Sequence, residues 1–485
     1  MINYRTIISV LGLMNLFVAA MMCFPLVVSL FYADGDTSAL AISVAITALA
    51  GIVMYLLGHR ENDIRLREGF AIATFGWLGM GFAGALPFII SGAIPSFTDA
   101  FFESVSGFTT TGASILGGAI KIESLPHGIL FWRSLTHWIG GMGIILLSLA
   151  ILPLLKVGGM QLFNAEFPGP VKNKLTPRIK DTAEILWGVY VLISAVEFAM
   201  LLGGGMTAFD AACHTFGTMA TGGFSTHNES IAFFQSRYIH YVIIFFMFVA
   251  GTNFTLHFRA LRGKPGMYWK SPEFRVYLFL VLSFTAIITV NNLFQGTFNS
   301  FEETFRQSLF HCVSILTTTG FGATDWELWS TMTQVLMVIL MVVGGMAGST
   351  AGGVKVIRVQ IMFSQIMIEL KRLIHPHAVL PLRIGEDVID NAIVRNVMAL
   401  LLAFGVVLIF STTLLTGMGL DLPTGFGASI ACLSNIGPGL GDVGAVDNYG
   451  HLIAPAKWLL IMLMILGRLE LFTVIVMFSR HFWRK

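Results

Sequence analysis

One short glycine-centred segment returns four times along this chain, each time between two long apolar stretches. Thr109-Thr110-Thr111-Gly112-Ala113 is echoed by Met219-Ala220-Thr221-Gly222-Gly223 and by Thr317-Thr318-Thr319-Gly320-Phe321, and more weakly by Ser434-Asn435-Ile436-Gly437-Pro438. The glycines Gly112, Gly222, Gly320 and Gly437 stand 110, 98 and 117 residues apart, each just after a short amphipathic run. A second landmark keeps step with the first. Gly141, Gly251, Gly345 and Gly467 follow 29, 29, 25 and 30 residues later, in the middle of the next apolar stretch. One such glycine alone would be ordinary close packing between membrane helices. Two landmarks held in step four times mark an internal repeat, and so a ring of like units.

Composition supplies the solvent of that ring. Of 485 residues 55% are hydrophobic and 12% charged, against about 25% charged in a soluble domain. Apolar runs of about 20 residues recur from end to end, as in an all-α polytopic membrane protein. Two leading helices are expected near 5–32 and 38–58, the first a retained span with no cleavage pattern. Each unit then reads as helix, short reentrant helix, filter strand, helix. First helices are expected near 69–91, 182–204, 275–295 and 391–417, and second helices near 128–155, 238–261, 330–373 and 456–482. The short runs near 97–108, 207–218, 299–315 and 423–433 hold too few apolar residues to span. This organisation divides the chain into a hairpin, 1–68, and pore repeats at 69–181, 182–274, 275–390 and 391–485, with ten crossings. Cys23, Cys213, Cys312 and Cys432 form no CxxC pair, so neither a disulfide framework nor a zinc site is indicated.

Charge orients the chain. Of the 29 Lys and Arg, Lys121, Arg133, Arg237, Arg306 and Lys457 fall on one side and Arg468 lies inside a helix. The other 23 lie with both termini and the loops at 59–68, 156–181, 259–275 and 355–395, which makes that side cytoplasmic. The outer side holds 14 of the 27 acids, among them Asp99, Glu103, Asp210, Glu302, Glu303 and Asp325, and would concentrate cations at its mouth. The same bias also follows from the positive-inside rule alone.

The repeated segment suits a dehydrated K⁺, which must recover its hydration from several oxygens at once. Extended backbone with inward carbonyls supplies them, and such backbone visits positive φ, where Gly costs least. Threonine hydroxyls add acceptors, and the short helix aims its partially negative C-terminus at the pore. The candidate ion-binding residues are Thr110, Thr111, Gly112 and Ala113; Ala220, Thr221, Gly222 and Gly223; Thr318, Thr319, Gly320 and Phe321; and Asn435, Ile436, Gly437 and Pro438. No carboxylate sits in the four segments, which argues against a divalent-cation filter. No nucleophile triad or paired-carboxylate arrangement marks an enzyme, and no transition-metal site or cofactor is expected beyond K⁺ as the transported ion.

The four units, the TTTGA and TTTGF segments and the run Gly-Gly-Met-Ala-Gly-Ser-Thr-Ala-Gly-Gly resemble the Trk/Ktr/HKT superfamily of cation transporters, and most of all its bacterial Trk potassium-uptake membrane subunits. The resemblance covers nearly the whole chain. It implies K⁺ transport across the bacterial inner membrane. It also implies a homodimer with one pore per protomer, and a separate TrkA-like cytoplasmic subunit that binds nucleotides. Ala220, Asn435 and Pro438 depart from the residues of a single-type K⁺ channel. A proton- or sodium-coupled secondary transporter is the alternative, although such proteins typically show two inverted halves.

Two features lie below the expected filter. The stretch 331–373 would be roughly 65 Å long as one helix, about twice the hydrocarbon thickness. Half of Gly344 to Gly353 is glycine, namely Gly344, Gly345, Gly348, Gly352 and Gly353, with Ser349 and Thr350 between them. Helix propensity is poor there, so an unwound intramembrane loop with an exposed backbone and few holding interactions is expected. The resemblance makes it a gate; a glycine-kinked helix is the plainer reading. Arg468 stands in the last helix, where lipid would charge roughly 2.5–3.5 kcal/mol for it. It either pairs with an acid or lies beside the pore against the Gly-rich loop as a positive barrier.

Overall fold

The structure, a computed structural model, describes residues 3–58, 66–151 and 179–483. Residues 59–65 and 152–178 of two basic loops lie outside the described residues, and with them Arg60, Arg65, Lys156, Lys172, Lys174 and Arg178.

Helices α1 (Tyr4–Tyr32) and α2 (Thr37–Leu57) form the leading hairpin. They cross closely, since a Cβ on Gly12 would meet the Gly51 carbonyl at 2.8 Å. The first unit comprises α3 (Leu66–Ile90), α4 (Phe97–Phe108) and α5 (His127–Ile151). The second comprises α6 (Ile179–Gly203), α7 (Ala208–Met219), α8 (Arg237–Ala250) and α9 (Phe254–Leu261). The third comprises α10 (Pro272–Gln295), α11 (Phe301–Leu316), α12 (Thr331–Val343) and α13 (Val356–Ile374). A small antiparallel hairpin, β1 (Arg383–Ile384) and β2 (Asp387–Val388), leads to the fourth: α14 (Asn391–Gly417), α15 (Leu422–Leu433), α16 (Ala454–Arg468) and α17 (Phe472–Ile475). Among the described residues six helices are long and apolar enough to cross a membrane, or eight if the bent pairs α8/α9 and α16/α17 each count as one span.

All four short helices begin with the same signal. Ser96, Thr207, Ser300 and Asp421 each accept the backbone N–H three residues on. Such a cap is worth about 1 kcal/mol. Asp99, Asp210 and Glu303 add negative charge at the positive end of three of the helix dipoles. Helices α4, α7 and α15 are 12 residues long and α11 is 16.

The second helices depart from the expected continuous spans. The segment expected at 238–261 bends by 103° between α8 and α9, and that at 456–482 bends by 111° after α16. In the third unit residues 344–355 are unwound between α12 and α13. Only Gly141 lies in mid-helix, in α5; Gly251 caps the end of α8, Gly345 is in the unwound stretch, and Gly467 is the penultimate residue of α16. Their common period comes from packing rather than from helix position. A Cβ on Gly141 would meet the Ala220 Cα at 2.7 Å, one on Gly251 the Thr317 Cγ2 at 2.7 Å, and one on Gly467 would collide with the Leu433 carbonyl. Each of these three glycines lets a second helix lie against the end of a short helix. Apolar cores flank this centre on two sides. One holds Phe101, Phe108, Trp132, Leu460 and Met464, the other Phe254, Tyr277, Phe310, Met337 and Leu340.

Candidate functional site

Beyond each short helix the backbone repeats one turn. Thr110, Thr221, Thr318 and Asn435 are left-handed, at φ 52°, 54°, 57° and 55°. Their N–H groups bond the carbonyls of Gly107, Thr218, Ile315 and Cys432. The next N–H groups, of Thr111, Gly222, Thr319 and Ile436, bond Ser106, Gly217, Ser314 and Ala431. A left-handed threonine costs of order 1–3 kcal/mol and persists only where its surroundings over-determine it. The glycine that follows has φ 78° at Gly112, 81° at Gly223, 77° at Gly320 and 96° at Gly437.

This geometry corrects the register of the second loop by one residue. Gly223, not Gly222, is the counterpart of Gly112, and Ala220-Thr221-Gly222-Gly223-Phe224 is the repeated segment. The glycine steps become 111, 97 and 117. Gly222 stands where the other loops carry Thr111, Thr319 and Ile436, and the space of its missing side chain is filled by the His137 imidazole, on which a Cβ would collide.

In the corrected register the four loops close on one another. A Cβ on Gly437 would stand 2.7 Å from the Thr111 carbonyl oxygen. On the other three glycines it would stand closer still to the next loop: Gly112 against the Gly222 oxygen, Gly223 against Thr319, and Gly320 against Ile436. Each glycine is therefore obligatory for steric reasons beyond its positive φ, and the order one, two, three, four, one is complete.

Glu103, read from the sequence as an outer acid, and His214 and His311, read as short-helix histidines without metal-ligand partners, prove to be struts behind the ring. Glu103, His214 and His311 all lie six residues before the end residue of their short-helix turns, Thr109, Ala220 and Thr317. Glu103 accepts from the Ser114 hydroxyl at 2.8 Å and the Ile115 N–H at 2.9 Å. His214 Nε2 bonds the Ser225 hydroxyl at 2.9 Å, and His311 Nε2 the Thr324 carbonyl at 3.0 Å. The fourth loop has Ala428 at this position and no such strut among the described residues; a side chain from beyond the loop reaches it instead, the Tyr449 hydroxyl donating to the Gly437 carbonyl at 2.7 Å. Glu103 is also paired with buried Arg133 at 2.7 Å. Arg133 donates onward to the Ser225 carbonyl at 2.9 Å and lies 3.6 Å over the Phe224 ring, joining loops one and two.

The mouth expected to face outward is less acidic than the residue count on that side implies. Glu103 is spent on Arg133, Asp99 bonds Lys457 at 2.6 Å, and Glu302 bonds Arg306 at 3.0 Å. Asp325, Glu327, Asp442 and Asp447 gather as a carboxylate cluster beside that mouth, which Asp447 lines. Glu327 accepts the Gly441 N–H at 2.8 Å. Burial, with the neighbouring Asp325, Asp447 and Asp442, raises its carboxyl to about 7 despite that hydrogen bond.

Below the ring runs the Gly-rich loop, and it is held more firmly than expected. Thr350 donates its hydroxyl to the Met219 and Ala250 carbonyls at 3.0 and 3.1 Å. The Gly352 N–H bonds the Thr318 hydroxyl at 2.7 Å, and the Gly353 N–H the Ser434 carbonyl at 3.0 Å. The Met346 N–H bonds Gly251, and the Ala347 N–H bonds Glu273 at 2.8 Å. Gly344, Gly348 and Gly353 have φ of 75°, 73° and 72°, and a Cβ on Gly344 would meet Gly353. Gly344, Gly345 and Ser349 are buried, and Gly348 and Gly353 half-buried. The structure brings Arg468 to this loop, where its guanidinium spans the Thr350 carbonyl at 2.9 Å and the Gly140 carbonyl of α5 at 3.0 Å. Glu470 turns instead to Arg358 at 2.7 Å.

Comparisons with known proteins agree with this architecture. A model of the TrkH cation transport protein family matches residues 37–485. The Trk system potassium uptake protein TrkH of Salmonella typhimurium is 42% identical, over 100% of both chains. The Trk system potassium uptake protein TrkG of Escherichia coli is 36% identical, over 95% of this chain and 94% of its own. The crystal structure of the potassium transporter TrkH from Vibrio parahaemolyticus superposes with a TM-score of 0.91 at 37% identity, covering 100% of both chains. Matched along nearly its whole length in sequence and throughout in fold, the chain belongs to the TrkH family of cation transport proteins, membrane transporters rather than enzymes.

Proposed function

We propose that this chain is a potassium-uptake subunit that passes K⁺ through the ring at Gly112, Gly223, Gly320 and Gly437. The observation that carries the reading is the closed contact of each ring glycine with the carbonyl of the next loop, which only glycine allows. Relatives named for potassium uptake, 36–42% identical over nearly full length, support the choice of ion. In this reading 69–181, 182–274, 275–390 and 391–485 are the four pore repeats, and 1–68 is a peripheral hairpin. The loop 344–353 is the gate, with Arg468 its latch and a positive barrier below the ring. The chain works in the bacterial inner membrane as a homodimer with both termini cytoplasmic, beside a TrkA-like nucleotide-binding subunit.

The test is permeability. Gly112→Ser, Gly223→Ser, Gly320→Ser and Gly437→Ser each put a side chain into the ring and are expected to raise Na⁺ permeation or cut K⁺ flux in proteoliposomes. An unchanged K⁺/Na⁺ ratio in all four variants refutes the assignment.

A further inference from the structure

The four loops are not equivalent at their outer end. Among the described residues the carbonyls of Gly112, Gly223 and Gly320 accept no hydrogen bond, whereas that of Gly437 accepts the Tyr449 hydroxyl at 2.7 Å. The fourth loop also departs in shape. Its glycine has φ 96° against 77–81° in the other three, and a Cβ added there would stand furthest from the carbonyl of the next loop. Tyr449 borders the same outer cavity as all four ring glycines. Its placement does not depend on the hydroxyl, because it is 2% exposed, its ring packs 5.6 Å from that of Phe102, and its backbone N–H bonds the Ser114 carbonyl at 2.8 Å.

We infer that Tyr449 is a specificity-determining residue: its hydroxyl competes with the ion for the Gly437 carbonyl, leaving the outer ring three free carbonyls and one shared. The inference rests on the filter reading above. A ring discriminates cations by the number and field strength of the carbonyl dipoles it offers. A carbonyl has two acceptor sites, but a hydroxyl held against it fixes its direction and takes one of them. The outer ring is thereby weakened toward a bare cation relative to a symmetric ring of four. The arrangement favours release and tolerance over tight, selective capture. It is set by one side chain outside the loop itself.

Tyr449→Phe removes only the oxygen and keeps the ring packing and the backbone bond. One competing hydrogen bond is worth enough to shift an equilibrium roughly fivefold. The half-saturating K⁺ concentration for uptake should fall by about that factor with the maximal rate little changed, and K⁺ preference over Na⁺ should rise. A hydroxyl that merely braces the loop predicts the opposite sign, a looser ring with poorer K⁺ preference. That result, or no change in either quantity, overturns the inference. Gly320→Ser measured in the same vesicles separates the two levels. If it alters the K⁺/Na⁺ ratio while Tyr449→Phe does not, only the role of Tyr449 falls. If neither alters it, and Gly112→Ser, Gly223→Ser and Gly437→Ser leave it unchanged too, the filter reading falls as well.

Discussion

Arg468→Ala is the sharpest probe of the gate proposed above. The guanidinium joins a loop carbonyl, Thr350, to a helix carbonyl on the opposite wall, Gly140, at 2.9 and 3.0 Å. Charge-assisted hydrogen bonds are worth roughly 1.5–3 kcal/mol each, so losing both shifts the closed-to-open balance by about 3–6 kcal/mol. At about 1.4 kcal/mol per tenfold, that is roughly a hundred- to ten-thousandfold in the open fraction. The same scale moves a two-state equilibrium from 1:99 to 99:1 with about 5.5 kcal/mol. The assay is uptake of radioactive Rb⁺ into proteoliposomes carrying the chain without any partner. Expected is a large rise for Arg468→Ala and a smaller one for Arg468→Lys, since a single ammonium cannot span both carbonyls as the guanidinium fork does. If Arg468→Lys behaves as wild type, the residue acts as a point charge and not as a latch. If Arg468→Ala, eluting at wild-type size, conducts no faster than wild type, the bridge does not hold the loop.

Other variants address neighbouring parts. Gly352→Ala drives a Cβ into the Ser434 carbonyl; such overpacking costs typically 1–3 kcal/mol and should push the loop off the fourth short helix, raising partner-free Rb⁺ flux about tenfold. Glu103→Gln leaves the buried Arg133 without its counter-charge, at a cost of about 3–5 kcal/mol, and should lower the melting temperature in detergent clearly, whereas a change confined to selectivity would contradict a bracing role. The Glu327 carboxyl, raised to about 7 by burial and by Asp325, Asp447 and Asp442, is mostly neutral below that pH and charged above it. Uptake at low K⁺ should therefore increase as the external pH goes from about 6 to about 8, and Glu327→Gln should flatten that rise; a wild-type slope in the variant removes Glu327 from the mouth field.

Much of this fold was legible because its physics is local. Apolar length and charge marked the spans, and the cap residues Ser96, Thr207 and Asp421 sit where turn chemistry wants them. The register of the second loop was not legible from the glycines, because Thr221-Gly222 mimics the Thr-Gly pair of the first and third loops. The caps carried the missing signal. Gly112, Gly223 and Gly437 all lie 16 residues after their caps Ser96, Thr207 and Asp421, while the third short helix is one turn longer. The breaks in α8/α9 and α16/α17 were not legible either. Apolar composition does not distinguish a straight span from one that bends to seat a neighbour, and the neighbours at the bends, Thr317 beside Gly251 and Leu433 beside Gly467, are distant in sequence. Tyr449 and Arg133 escaped notice for the same cause: their partners, Gly437, Glu103 and Ser225, are brought to them only by the closed ring.

The broken helices and the loop belong to one design. Unwinding a membrane helix frees backbone groups that hydrocarbon cannot satisfy, at several kcal/mol each, so the freed groups must bind one another. Here they do: the Ala250 and Gly251 carbonyls at the α8 break accept from Thr350 and Met346, and the Met464 carbonyl near the α16 break accepts from Asn435 at 2.9 Å. The loop is consequently moored to the second, third and fourth short-helix turns through Met219, Thr318 and Ser434. Toward the first unit, whose second helix α5 is unbroken, its mooring is the side chain of Arg468 reaching Gly140. A loop tied on three sides by its own groups and on the fourth by one long side chain releases most readily on that fourth side. In the proposed gate, opening should therefore begin between α5 and α16, where the proposed partner acting on either helix would need to displace one guanidinium and not an entire backbone seam.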